Sequence, residues 1–166
     1  MFTLKLISNG SVETALARAE RYRLLGEPDE AESICLDILA IDRANRQARI
    51  SLVLALTDEI PQEESSFARA METIPSLESP YDRSYYSGIA WERRAKSLYG
   101  SKGIGSSRYV YGWIVKALQF FEEAERLRPA GDDSSILRWN ACIRFLEHHK
   151  ELAPMPEESP DPILSE

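Results

Sequence analysis

Apolar residues recur at spacings of three and four along most of this chain, the mark of helices that each bury one stripe. Ala15, Leu16, Ala19, Tyr22 and Leu25 form the first stripe, opened by Ser11, whose hydroxyl suits a helix N-cap. Gly26 and Pro28 break it, since glycine tolerates positive φ and proline presets the entry of a following helix. A second helix is predicted from about Asp29 to Ile41, with Ala31, Ile34, Cys35, Ile38 and Leu39 facing inward. Ile50, Leu52, Val53 and Leu56 mark a third helix from Arg46, which turns around Asp58 to Gln62. Phe67 and Ala70 belong to a fourth, closed by Pro75. Tyr81 to Leu98 carries Tyr85, Gly88, Trp91 and Ala95 on its packing side, and Tyr109 to Arg128 stops at Pro129. A last helix runs through Ile136, Leu137, Trp139, Cys142, Ile143, Phe145 and Leu146. The capped start at Asp132, Asp133, Ser134 and Ser135 places acids at the positive end of its dipole.

The pattern also repeats. Shifted by 34 residues, Leu16, Ala19 and Tyr22 fall on Ile50, Val53 and Leu56, a period known for stacked helical hairpins. The run Ala19-x-x-Tyr22-x-x-x-Gly26-x-x-x-x-Ala31-x-x-x-Cys35-x-x-Ile38 resembles the tetratricopeptide (TPR) motif. It recurs as Phe67-x-x-Ala70 before Pro75 and as Ala117-x-x-x-Phe121-x-x-Ala124 before Pro129. The resemblance implies an all-α fold: a TPR-like right-handed α-solenoid of about three helical hairpins plus a C-terminal closing helix. The expected organisation is an N-terminal segment 1–11, a repeat domain 12–149 and an acidic Pro-rich disordered tail 150–166. Within the domain the repeats cover about 12–44, 46–76 and 81–129, and the closing helix 133–149. The second repeat departs from the pattern, because Phe67 follows Cys35 by 32 positions and Glu63 stands where the others have Ala31 and Ala117.

Composition narrows the class without naming a task. A hydrophobic share of 43% and a charged share of 28% are ordinary for a soluble globular chain. The formal net charge is −7, most of it between Glu147 and Glu166, which leaves the body close to neutral. Neither part offers the basic footprint that nucleic acid needs. No apolar run is long enough for a signal peptide or a membrane helix, so a cytoplasmic protein is expected. Cys35 and Cys142 lie on apolar faces, where a lone cysteine acts as a small buried hydrophobe, and no cofactor or metal is called for. His148 and His149 are neighbours whose side chains diverge on a helix by roughly 100°, a poor metal pair. The aromatics crowd the C-terminal half, with Trp91, Trp113 and Trp139 read as core. Tyr85, Tyr86, Tyr109 and Tyr111 are either packing residues or exposed anchors for a partner or a second copy.

The TPR resemblance implies a non-catalytic protein-protein interaction module, an adaptor, scaffold or chaperone that holds a partner polypeptide in a concave groove. The groove positions are Leu16, Glu20 and Arg23, then Gln47, Ile50 and Leu54, then Tyr85, Ile89 and Arg93, and finally Ile136 and Asn140. Apolar residues flanked by polar ones suit a peptide with spaced anchors, although the same residues also suit packing between helices. The carboxylate-clamp subgroup is rejected, because Leu16, Glu20, Ser51, Asp82 and Tyr86 stand where its cations belong. The acidic TPR chaperones of bacterial type III secretion are similar in size and charge, without a matching N-terminal helical extension before Ser11. The alternative class is an anion- or nucleotide-binding protein or enzyme using the Gly-rich loop 100–108, where Lys102 and Arg108 would add charge to free backbone N–H groups. That loop lacks the Gly-x-x-x-x-Gly-Lys-Ser/Thr spacing and sits between helices rather than after a strand.

Overall fold

The computed structural model describes residues 2–101 and 107–152, and every regular element among them is helical. The α-helices are α1 (Val12–Leu24), α2 (Pro28–Ile41), α3 (Arg46–Glu59), α4 (Ser65–Thr73), α5 (Pro80–Ser101), α6 (Ser107–Leu127) and α7 (Ser134–His148). Short 3-10 turns at Asn9–Ser11, Ile74–Ser76 and Lys150–Leu152 flank them. No described helix is long and apolar enough to cross a membrane.

Local chemistry explains most of the helix ends. Gly26 takes φ 76° between α1 and α2, and Gly131 takes φ 84° between α6 and α7, conformations that a Cβ disfavours. Pro28 opens α2 at its first turn, where its missing N–H costs nothing. Asn45 caps α3, its Oδ1 accepting from the Ala48 N–H at 2.9 Å. Ser11 does not cap α1 as expected: its hydroxyl donates back to the Ser8 carbonyl at 2.7 Å and closes the preceding turn instead. At α7 the acceptor is Asp132, which receives the Ser134 N–H at 2.9 Å.

Helices adjacent in the chain pack on one another, and α3 also lies against both α1 and α5. Small residues permit the first approach, with Ala19, Ala31, Cys35 and Ala55 fully buried between α1, α2 and α3. Ile50, Val53, Phe67 and Ala90 fill the space where α3 and α4 meet α5. The largest cluster joins α5, α6 and α7 through Ile89, Ile114, Phe121 and Cys142, with Trp91, Trp113 and Trp139 packed against it. Gly88 lets α5 and α6 touch there, since a Cβ at this position would stand 2.5 Å from the Phe121 ring.

Three expectations change. The loop between α5 and α6 is shorter than 100–108, because Gly100 and Ser101 finish α5 while Ser107 and Arg108 begin α6. Glu63 precedes α4 and is exposed, so the second hairpin avoids a bulky contact by starting its second helix late. Lys150–Leu152, expected in the tail, continue the folded body: Leu152 is buried in the α5–α7 cluster. Residues 102–106 of the loop and 153–166 of the tail lie outside the described residues.

Candidate functional site

A chain of ion pairs runs across α1, α3 and α5. The Arg23 guanidinium on α1 donates through Nε to Asp58 Oδ2 on α3 at 2.8 Å, and Nη1 reaches Glu20 Oε2 at 2.8 Å. Arg93 on α5 approaches the other oxygen, with Nη1 2.6 Å from Asp58 Oδ1. The same nitrogen donates to the Leu54 carbonyl at 3.2 Å and to the Thr57 hydroxyl. One carboxylate therefore bridges two guanidiniums from two different helices. Burial pushes the Arg93 pKa down while Asp58 pulls it back up, so the counter-charge is what keeps a sheltered cation in place.

The ladder continues toward α7. Glu92, buried on α5, accepts from Lys96 Nζ at 2.5 Å and faces Arg138 Nη1 of α7 at 3.6 Å. At the opposite end of α5, buried Asp82 holds Arg46 of α3 through Nε at 3.0 Å and Nη2 at 2.6 Å. Each junction between α1, α3, α5 and α7 thus carries at least one charge pair. Beside the ladder opens a cleft of about 570 Å³, lined by Thr57, Asp58, Arg93, Lys96, Ser97 and Gly100 among others. Its exposed lining is mostly apolar, with Asp58, Arg93 and Lys96 contributing charges of both signs.

The expected groove residues divide into two groups. Glu20 and Gln47 are exposed, Leu16, Arg23, Leu54, Arg93 and Asn140 are half-buried, and Glu20, Arg23, Leu54 and Arg93 meet at the ladder. Ile50 and Ile89 are not groove residues: they are buried at 5% and 1% exposure, in the α3–α5 and α5–α7 clusters respectively. α3 and α5 have neighbours on several sides, so a stripe that would line a groove on a lone hairpin becomes packing here. Tyr85 also packs, stacked on Tyr81 at 5.6 Å and tilted against Phe121 at 6.1 Å. Of the other tyrosines only Tyr109 stands well out, at 64% exposure. Ile136 is half-buried on α7.

Asp58, Glu92, Lys96 and Arg138 were missing from the expected set, yet the sequence held a signal for the first. Arg23, Asp58 and Arg93 follow one another at 35 residues, one more than the 34-residue shift, with charges of alternating sign. The anion-loop residues do not form a described site, since Arg108 is exposed in the first turn of α6 and Lys102 lies outside the described residues. Cys35 and Cys142 are both buried, and burial raises their thiol pKa values to about 11 and about 12, which suppresses nucleophilic chemistry. Among the described residues no group of three or more His, Cys, Asp or Glu side chains gathers to hold a metal ion. Compared with known protein families, characterised protein sequences and solved structures, the chain matches none of them.

Proposed function

We propose that this chain is a non-catalytic protein-interaction module of the TPR-like solenoid type, which holds a partner polypeptide along the face of α1, α3 and α5. The observation that carries this reading is the Arg23–Asp58–Arg93 ladder. Side chains of α1, α3 and α5 meet there in a row, which supports the reading that the first helices of successive hairpins lie side by side as in a solenoid. The cleft beside the ladder is open, pre-formed and mostly apolar in its exposed lining, with a few charged groups at its edge, so an extended segment can dock with little ordering cost on the protein's side. Charges already paired on the scaffold offer exchangeable partners to a peptide rather than one strong ionic hook.

The test is selection of peptides of 10 to 15 residues from a random library on the intact chain, followed by crosslinking. Selected peptides are expected to crosslink beside Lys96 and Ser97 and to lose at least ~10-fold in affinity with Lys96→Glu, a change of about 1.4 kcal/mol. Glu122→Lys on the outer face of α6 serves as the control and leaves affinity unchanged. Failure to enrich any peptide, or crosslinks confined to α2, α4 and α6, would refute the groove.

A further inference from the structure

Arg94 on α5 is flanked by aromatic rings from two other helices. Its guanidinium carbon stands 4.2 Å from the centroid of the Phe67 ring of α4 and 4.2 Å from that of the Trp113 ring of α6, with Trp91 5.7 Å away. Phe67 and Trp91 meet edge to face at 4.8 Å, and Trp91 lies 6.3 Å from Trp113, so the rings brace one another as well as the cation. A planar cation held between rings is fixed in orientation and keeps its edge for hydrogen bonds. The protein supplies that edge poorly. Nη2 donates to Glu64 Oε1 at 3.0 Å, whereas Nε is buried without an acceptor and Nη1 has none among the described residues.

The same side chain lines a pocket of about 170 Å³ between the α3–α4 turn, α5 and α6. Ile60, Leu98 and Trp113 give it apolar walls, while exposed Gln62 and Ser101 bring an amide and a hydroxyl to its rim. We infer that this pocket takes a carboxylate, held by the Arg94 fork with its carbon stem against the apolar walls. An oxyanion is what a rigid guanidinium with uncommitted donors selects, and a planar carboxylate meets the fork with two bonds at once. The volume suits a carboxylate on a short stem, being several times one water's share of about 30 Å³. Glu64 is a place-holder that such a ligand displaces. Its side chain is 70% exposed and touches the cation through one bond, and exposed pairs of that kind contribute at most about 1 kcal/mol. The site goes beyond the groove reading, since Arg94 belongs neither to the Arg23–Asp58–Arg93 ladder nor to the clamp positions Leu16, Glu20, Ser51, Asp82 and Tyr86, and it needs no polypeptide in the cleft.

Two tripeptides separate the sources of such a group. Acetyl-Ala-Glu-Ala-amide carries only a side-chain carboxylate, acetyl-Ala-Ala-Ala with a free C-terminus carries only a terminal one, and acetyl-Ala-Gln-Ala-amide is the neutral control. When they are titrated into the intact chain at fixed ionic strength, at least one carboxylate is expected to shift the NMR signals of the Arg94 Nε–H and the Trp113 indole N–H, saturating with a Kd of about 1 to 10 mM. The tighter of the two identifies the source. Glu64→Gln removes the competing anion from an exposed position and tightens binding about 3-fold. Arg94→Lys keeps the charge, loses the fork and weakens binding at least ~10-fold. An arginine that only packs between rings gives neither effect. The inference is overturned if neither carboxylate gives a saturable shift up to about 50 mM, if Glu64→Gln leaves affinity unchanged or lower, or if inorganic phosphate binds more tightly than both.

Discussion

Gly88 shows how much can depend on a missing methyl group. The Phe121 ring that its Cβ would strike is fully buried between α5, α6 and α7, so it has no room to swing aside. Gly88→Ala gains about 1 kcal/mol of helix propensity. Overpacking of a closed core costs about 1 to 3 kcal/mol, and the 2.5 Å approach puts this site at the upper end. The urea midpoint is expected to fall with an unchanged slope; a raised midpoint would show that the helices can part cheaply. Glu59 is the opposite case, a charged residue inside. It is 4% exposed; Oε2 accepts from the Ser66 hydroxyl at 2.8 Å and lies 3.5 Å from Arg69 Nη1, while Oε1 has no partner. Burial raises its pKa above the ordinary carboxylate range, more than the Ser66 bond lowers it. A raised folded-state pKa means that the protonated form is favoured by folding. Its contribution is therefore fully present below the unfolded value near 4.5 and is lost as pH rises through the folded value. Glu59→Gln should gain in melting temperature relative to the wild type as pH increases from 4 to 8. A constant difference across that range would sink the assignment.

At the level of elements, chemistry at the ends divides the chain and burial of stripes holds it together. Asn45 satisfies one of the orphan N–H groups of α3, and Asn45→Ala should cost about 1 kcal/mol in chemical denaturation. Leu152 ties the last 3-10 turn to the α5–α7 cluster, so Leu152→Ala is expected to cost about 2 to 4 kcal/mol. An effect below 0.5 kcal/mol would place that turn outside the cooperative unit. The helices themselves were legible in the sequence, since a period of three and four, Gly26, Pro28 and Pro129 leave few other readings. What could not be read was which of two adjacent stripes meets a neighbour. Ile50 and Leu54 are one turn apart on α3, yet the first is buried and the second is half-buried beside Arg93. Periodicity finds the apolar half of a helix, but only the arrangement of several helices decides how much of that half is covered. Leu152 was missed for a related reason: an isolated leucine among acids and prolines has no periodic partner to reveal it.

For the molecule as a whole, the question is what makes successive helical pairs behave as one body. Apolar clusters lie between neighbours, but Asp58 contacts side chains from both flanking helices at once, Arg23 of α1 and Arg93 of α5. Exposed ion pairs contribute at most about 1 kcal/mol. This carboxylate is only 25% exposed, and its partners are 11% and 27% exposed, so hydrogen bonds to charge here are worth more. Asp58→Ala leaves two sheltered guanidiniums without their shared acceptor and should cost about 2 kcal/mol. The more telling outcome concerns coupling. In the Asp58→Ala background, Arg23→Ala and Arg93→Ala should each cost less than they do alone, because the carboxylate that gave them purpose is gone. Native-state hydrogen exchange adds the spatial part. Asp58→Ala is expected to speed exchange in α1 and in α5 together, whereas Arg23→Ala acts on α1 and spares α5. A tie between two helices must loosen both when cut at the middle and only one when cut at an end. Exchange that changes in α3 alone would mean that the apolar clusters do the joining and that the ladder merely decorates the face they create.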